Sequence, residues 1–171
     1  MKSLSKIYLG VAIATAVMTS FSAIASAETV KLPGSYIGAG ISAQTLASNS
    51  SGSGNSVVGA NIAGRYKFDD VPVSVRSSVL FGNGGTSVVP TVSYDVPLGD
   101  RTNVYLGAGA SVKVGGDSSL TGNQTAFALQ PGVEVSLNKN LLVYGNAVIP
   151  FNGQTDGSAG TSLQAGVGFQ F

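Results

Sequence analysis

The feature that most constrains this chain is a side-chain alternation of period two. It runs from about Ser35 to Phe171 and never gives way to a helical period. Successive side chains on a strand point to opposite faces, so the pattern assigns each residue to one of two environments. Clusters of Gly, Asn, Asp and Ser interrupt it and divide it into eight strands. The first spans Ser35 to Gln44, the second Ser56 to Phe68, the third Val71 to Gly82 and the fourth Ser87 to Leu98. The fifth spans Asn103 to Val114, the sixth Gln124 to Leu137, the seventh Leu141 to Phe151 and the eighth Thr161 to Phe171. Each is long enough to cross a bilayer when tilted, which takes ~9–11 residues.

The two faces differ in kind. Ile37, Ala39, Ile41 and Ala43 share one face of the first strand, against Tyr36, Gly38, Gly40, Ser42 and Gln44. Val104, Leu106, Ala108 and Ala110 face away from Tyr105, Gly107, Gly109 and Ser111. The apolar face carries no formal charge along the chain. The polar face is built of Gly, Ser, Asn and Gln with a few charges. Only 10% of all residues are charged, where a soluble domain has about a quarter. A water-soluble ligand-carrying calyx would turn that weakly polar face to solvent. A membrane barrel turns the apolar face to lipid, satisfies every backbone group by closure, and needs no apolar helix. The expected fold is therefore all-β: an eight-stranded antiparallel up-and-down transmembrane β-barrel.

The N-terminus agrees with export. Lys2 and Lys6 precede an apolar stretch from Ile7 to Ala16, and Ala25-Ser26-Ala27 offers a small-x-small cleavage site. Residues 1–27 are expected to be a cleaved secretory signal peptide, with Ala25 and Ala27 at the cut, and residues 28–171 the barrel domain. Without Lys2 and Lys6 the chain keeps seven basic and eight acidic residues, and no basic patch suggests nucleic acid. There is no Cys and no His, which removes disulfide scaffolds, most zinc sites and most hydrolytic triads. No cofactor or metal is expected.

The connections alternate in length. Those after the first, fifth and seventh strands are long and polar (Thr45–Asn55, Gly115–Asn123, Asn152–Gly160), and Asn83–Thr86 is short. Asp69–Val71, Gly99–Thr102 and Asn138–Asn140 are tight. Short periplasmic turns and longer external loops are usual in outer-membrane barrels, so both termini are expected in the periplasm.

The polar face then lines the lumen, and its charges fall at similar heights. Arg65, Arg76, Asp95 and Glu134 are expected to pair in one layer beneath the hydroxyls of Tyr36, Tyr105 and Tyr144, because a buried charge needs a partner. Such a layer is a plug or, alternatively, the constriction of a small-solute channel. Asp95 with Glu134 is also a carboxylate pair that general acid–base chemistry could use in principle, but it comes with two arginines and no nucleophile accompanies it, so an enzyme is not expected. One segment recurs: Tyr36-Ile37-Gly38-Ala39-Gly40-Ile41-Ser42-Ala43 is echoed from Tyr105 to Val112, an offset that also relates Arg65 to Glu134.

Three segments carry a family resemblance: the Tyr-x-Gly-Ala-Gly openings at Tyr36 and Tyr105, the strand Pro90 to Leu98, and the ending Gly166-Val167-Gly168-Phe169-Gln170-Phe171. The chain resembles the small outer-membrane barrels: the OmpA transmembrane domain, OmpX and opacity-type members of the porin family. The resemblance implies that Val167, Phe169 and Phe171 form the signal read by the barrel-assembly machinery. It implies outer-membrane lipid, lipopolysaccharide and periplasmic chaperones as further partners. OmpA continues into a peptidoglycan-binding domain, and this sequence ends at Phe171. The lipid A-modifying barrels depend on His, which is missing here. The resemblance specifies architecture; for function it implies a structural, surface-interaction or permeability-related role.

Overall fold

The computed structural model describes residues 33–46, 57–82, 84–116, 120–122, 124–151 and 160–171. Eight strands form in chain order. They are β1 (Tyr36–Leu46), β2 (Val57–Lys67), β3 (Val73–Gly82) and β4 (Gly85–Pro97), then β5 (Thr102–Gly116), β6 (Ala126–Ser136), β7 (Leu141–Phe151) and β8 (Gly160–Gln170). Each pairs antiparallel with its neighbours, and β8 returns to β1 along Tyr36↔Gln170 to Leu46↔Gly160, closing the barrel. Closure leaves no unpaired edge, which is what lipid requires of a sheet.

The faces separate as the alternation predicts. Ile37, Ile41, Val58, Ile62, Val75, Val92, Leu106 and Val167 are exposed on the outer wall. Tyr36, Ser42, Asn61, Arg65, Ser74, Arg76, Ser93, Asp95, Gln130 and Glu134 are buried inside. Aromatic side chains girdle the outer wall at two levels. Tyr66, Phe68, Tyr94, Phe169 and Phe171 surround the end that carries the chain termini, and Phe81, Phe127 and Phe151 the far end. Eleven residues in β8, at ~3.3 Å each and tilted by ~40°, rise ~28 Å, close to the ~25 Å apolar band of such barrels.

Three tight turns close the terminus-bearing end. The Leu98 and Leu137 amides donate to the carbonyls of Thr102 and Leu141, both at 2.8 Å. Gly99 takes a positive φ of 113°, a conformation that L side chains avoid. Asn138 Oδ1 accepts from the amides of Asn140 and Leu141 at 2.9 and 2.8 Å, the side-chain turn that favours Asn there.

Several expected bounds shift. β3 begins at Val73 rather than Val71 and β6 at Ala126 rather than Gln124, because the chain is still turning before each. β4 starts at Gly85 and β5 runs on to Gly116, opposite each other in the register. The segment expected as an open polar loop after the fifth strand is therefore partly strand. Part of it is also buried: Leu120 and Thr121 lie inside the far end. The sequence echo is not a structural repeat in register. Tyr36 lies opposite Arg65, whereas Tyr105 lies opposite Gly132 and Glu134 opposite Asn103.

Candidate functional site

The lumen is filled in three tiers. The first lies nearest the terminus-bearing end and starts from an unfavourable register. Arg65 on β2 sits directly opposite Arg76 on β3, a like-charge pair that would be destabilising alone. Two carboxylates resolve it, Asp95 from β4 and Glu134 from β6. Arg65 Nη1 lies 2.7 Å from Glu134 Oε2 and its Nη2 3.1 Å from Asp95 Oδ2. Arg76 Nη2 lies 2.8 Å from Asp95 Oδ1, and its Nη1 contacts Glu134 Oε1. Each cation thus meets each anion, and the box is neutral.

The remaining valences of the box are also used. Arg65 Nε donates to Ser74 Oγ at 3.0 Å and Arg76 Nε to Ser93 Oγ at 2.8 Å. Ser74 Oγ donates to Asp95 Oδ2. Asn103 Nδ2 donates to both Asp95 Oδ1 and Glu134 Oε2 at 3.2 Å. Sequence reasoning missed Asn103 and two serines, because neutral residues on a polar face carry no signal of their own. It also missed Pro33, which is buried and whose carbonyl accepts from Arg65 Nη1 at 2.9 Å. The chain entering β1 therefore passes beneath the box. Relative exposure is 0% at Glu134, 3% at Arg76, and 4% at Arg65 and Asp95. A cleft of about 250 Å³ opens at this end, lined by Pro33 and Asp69 among others, and it meets the box at Asp95 and Asn103.

The three tyrosines are inside, but they do not all present hydroxyls to the charges. Tyr105 lays its ring face on Arg76, with the guanidinium carbon 3.4 Å from the ring centroid, a cation–π contact. Tyr144 turns away from the box and donates to Asn61 Oδ1 at 2.5 Å. Tyr36 stacks on Tyr144 with ring centroids 5.8 Å apart. Rings this large fit a narrow lumen only where the facing strand has no side chain. A Cβ at Gly132 would overlap the Tyr105 ring, and one at Gly166 the Tyr144 hydroxyl.

Above the tyrosines runs a tier of neutral hydrogen bonds. Thr91 Oγ1 donates to Gln130 Oε1 at 2.8 Å, Gln130 Nε2 to Asn146 Oδ1 at 3.2 Å, and Asn61 Nδ2 to Ser42 Oγ at 3.0 Å. The third tier is apolar: Leu80, Val89, Leu120, Ala128 and Val148 form a fully buried cluster. Leu120 reaches it from the β5–β6 connection and packs against the walls at Gly59 and Gly82. Thr121 beside it shares a 2.5 Å hydrogen bond with Ser111.

Among the described residues no group of three His, Cys, Asp or Glu is placed to hold a metal. Asp95 and Glu134 come together, but both are committed to the arginines. Val167 and Phe169 face outward on the closing strand. Phe171 is also exposed and its amide donates to the Ser35 carbonyl at 3.0 Å. Ala25 and Ala27 lie outside the described residues.

A closed barrel with an apolar outer wall and a filled polar interior defines an integral membrane β-barrel protein. The model of the outer membrane protein beta-barrel domain family matches residues 13–171. The chain belongs to that family, and its place is the outer membrane. Solved structures share the fold. Ail, the attachment invasion locus protein of Yersinia pestis, has a TM-score of 0.58 at 17% identity, covering 81% of this chain and 99% of Ail. Neisserial surface protein A has a TM-score of 0.56 at 20% identity, covering 80% of this chain and 97% of that one. The N-terminal barrel of Pseudomonas aeruginosa OprF has a TM-score of 0.51 at 16% identity, covering 81% and 99%. No curated protein sequence matches the chain.

Proposed function

We propose that this protein is a non-enzymatic outer-membrane barrel whose lumen is a structural plug, with a role exercised through its stability and its external loops. The observation that carries the proposal is the Arg65–Arg76–Asp95–Glu134 box. All four charges are buried and paired across β2, β3, β4 and β6. An ion passing this level would have to displace partners held in low dielectric, where removing one partner of a buried pair costs ~3–5 kcal/mol. The apolar cluster around Leu120 adds a second barrier, since water gains nothing from entering a space lined by aliphatic side chains.

Both termini and the tight turns lie in the periplasm in this proposal, and the Leu120 end faces outward. Export proceeds through cleavage after Ala27, with Ala25 and Ala27 as the small residues the peptidase reads. Val167, Phe169 and Phe171 are the assembly signal, and periplasmic chaperones and the barrel-assembly machinery are the partners in transit. Lipid and lipopolysaccharide are the partners in the membrane.

Ail has also been solved with the heparin analogue sucrose octasulfate. Charge argues against a polyanion as the surface ligand here. The long loops between strands contain Asp117 and Asp156 and no Lys or Arg. Neutral Ser- and Gly-rich loops suit contacts made by hydrogen bonding rather than by charge.

Single-channel recording in planar bilayers tests the plug. The purified barrel is expected to give no conductance above that of the bare membrane. Reproducible unitary currents would overturn the proposal in favour of a small-solute channel.

A further inference from the structure

The apolar tier at the far end is built as a seat, and Leu120 is the part that does not belong to its walls. Leu80 on β3, Val89 on β4, Ala128 on β6 and Val148 on β7 are fully buried and come from strands. Leu120 alone reaches the cluster from a connection. It fits because two wall positions are bare. A Cβ at Gly59 would stand 2.8 Å from Leu120 Cδ1, and one at Gly82 3.0 Å from its Cγ. Glycines of positive φ flank it in the chain, Gly116 at 82° and Gly122 at 122°, conformations that L side chains avoid.

Leu120 fills this seat without satisfying it. The hydroxyls of Ser87 on β4 and Ser162 on β8 are fully buried at this level, and no protein group partners either of them. Ser87 lies opposite Leu80 and Ser162 opposite Val148, so both border the aliphatic cluster. Two residues further along β8 on the same inner face, neither Oε1 nor Nε2 of Gln164 has a protein partner. Nearly all buried polar groups in folded proteins are satisfied. A mostly apolar enclosure with a few placed hydrogen-bonding groups is the composition of a small-molecule site. We infer that this tier is a binding site for small neutral amphiphiles, a branched aliphatic end with an alcohol or amide head, and that Leu120 occupies it in their place.

The chemistry of the seat narrows the guest. Its aliphatic end takes the position of Leu120 between Gly59 and Gly82. Its head must donate and accept, because the serine hydroxyls and the Gln164 amide offer both kinds of group. A purely apolar guest would leave them as Leu120 leaves them. A charged guest finds no free countercharge: Lys113, opposite Ser87, is already engaged, and the four charges of the box neutralise one another. The guest exchanges one aliphatic group for another, so the tier stays closed. The site therefore goes beyond the plug and does not rest on it.

Solution NMR of the refolded barrel in detergent micelles tests the site, with isoamyl alcohol as the probe. This alcohol carries the isobutyl group of leucine on a neutral head. Saturable shifts are expected at the methyl groups of Leu80, Val89, Leu120 and Val148. Shifts that do not saturate and that Val92 and Leu106 on the outer wall share equally would be partition into the micelle and would overturn the site. Leu120→Ala removes a competitor held at the seat by its own tether and should tighten binding about tenfold; an unchanged affinity overturns the claim that Leu120 stands in the guest's place. Ser162→Ala and Ser87→Ala leave Leu120 in place and should each weaken binding about fivefold; no change in either overturns the polar half of the site. Isovalerate, with the same isobutyl group on a carboxylate, should not bind at neutral pH, and equal affinity would overturn the neutral head. Unitary currents from a barrel that still binds the alcohol would refute the plug and leave this site standing.

Discussion

Arg76→Ala is the sharpest perturbation of the interior. It deletes ion pairs to Asp95 and Glu134, a hydrogen bond to Ser93 and the cation–π contact with Tyr105. What remains is one guanidinium for two buried carboxylates. Glu134, at 0% exposure, retains Arg65, Asn103 and the Tyr36 hydroxyl. Stranding a buried charge in this way costs ~3–5 kcal/mol. With a urea slope of ~2 kcal/mol per molar, the unfolding midpoint should fall by about 2 M. The chain has no Trp, so unfolding in lipid vesicles is followed by circular dichroism and by the gel mobility of unheated samples. Arg76→Met combined with Glu134→Gln leaves the neutral Arg65–Asp95 pair. Its loss should be smaller than the sum of the two single losses, by ~0.5–3 kcal/mol. A shift below 0.5 kcal/mol for Arg76→Ala would mean that water already solvates the box, and the plug would fall with it.

Three further outcomes follow from other parts of the molecule. Val92→Arg places a cation on the outer wall near the middle of β4 and should destabilise the barrel by ~2–4 kcal/mol in vesicles; equilibrium unfolding without loss would mean that this face does not meet lipid. Gly132→Val should block the seat of Tyr105 and reduce refolding yield, and adding Tyr105→Ala together with Asn146→Gly, which clears the second overlap at the Asn146 Cβ, should restore it, read as the fraction of unheated protein with folded mobility. Phe171→Leu, which keeps the amide hydrogen bond to Ser35 and an apolar outer face, should lower the amount assembled in the outer membrane of cells while leaving the purified barrel's unfolding midpoint within ~0.5 kcal/mol; equal losses in both would make Phe171 structural rather than a signal.

The sequence shows the two faces wherever apolar and polar residues alternate, and it says less where they do not. Val79-Leu80, Val88-Val89, Leu141-Leu142 and Ala147-Val148 are apolar doublets, so one member of each must point inward. Leu80, Val89, Leu142 and Val148 are those members, the ones that the period of two, carried along from the rest of each strand, assigns to the inner face; what they pack against follows from the strand register. Leu120 is harder still. It is a single apolar residue in a Ser- and Gly-rich connection, with no period to assign it, and its burial depends on Gly59 and Gly82 across the lumen. The four charges could be brought to one level because charged residues are scarce on this chain and each lies near the same end of its strand. Tyr36 meets the charges as its height suggests, by a hydrogen bond with Glu134, but that Tyr105 offers its ring face and that Tyr144 turns away could not be read, since ring direction follows from which facing residue is a glycine, and that again is a matter of register.

The box also bears on when the barrel becomes stable. A one-residue slip of β3 would turn Arg76 to lipid with every neighbour. A two-residue slip keeps the faces but moves Arg76 by ~7 Å along its strand, out of reach of both carboxylates. The box is satisfied only in the native register. It is also non-local: Glu134 lies 58 residues from Arg76 and 69 from Arg65, and β5 separates β4 from β6. Its ion pairs to Glu134 can therefore form only once the lumen is nearly enclosed, after most hairpins have paired. Interactions made that late are absent from the transition state for folding, so their loss appears in the unfolding rate. Arg76→Ala should accelerate unfolding from vesicles by at least tenfold and change the folding rate less than threefold, both followed as time courses of gel mobility. The opposite partition, slower folding with unfolding unchanged, would mean that the box forms first and that the hairpins assemble around it.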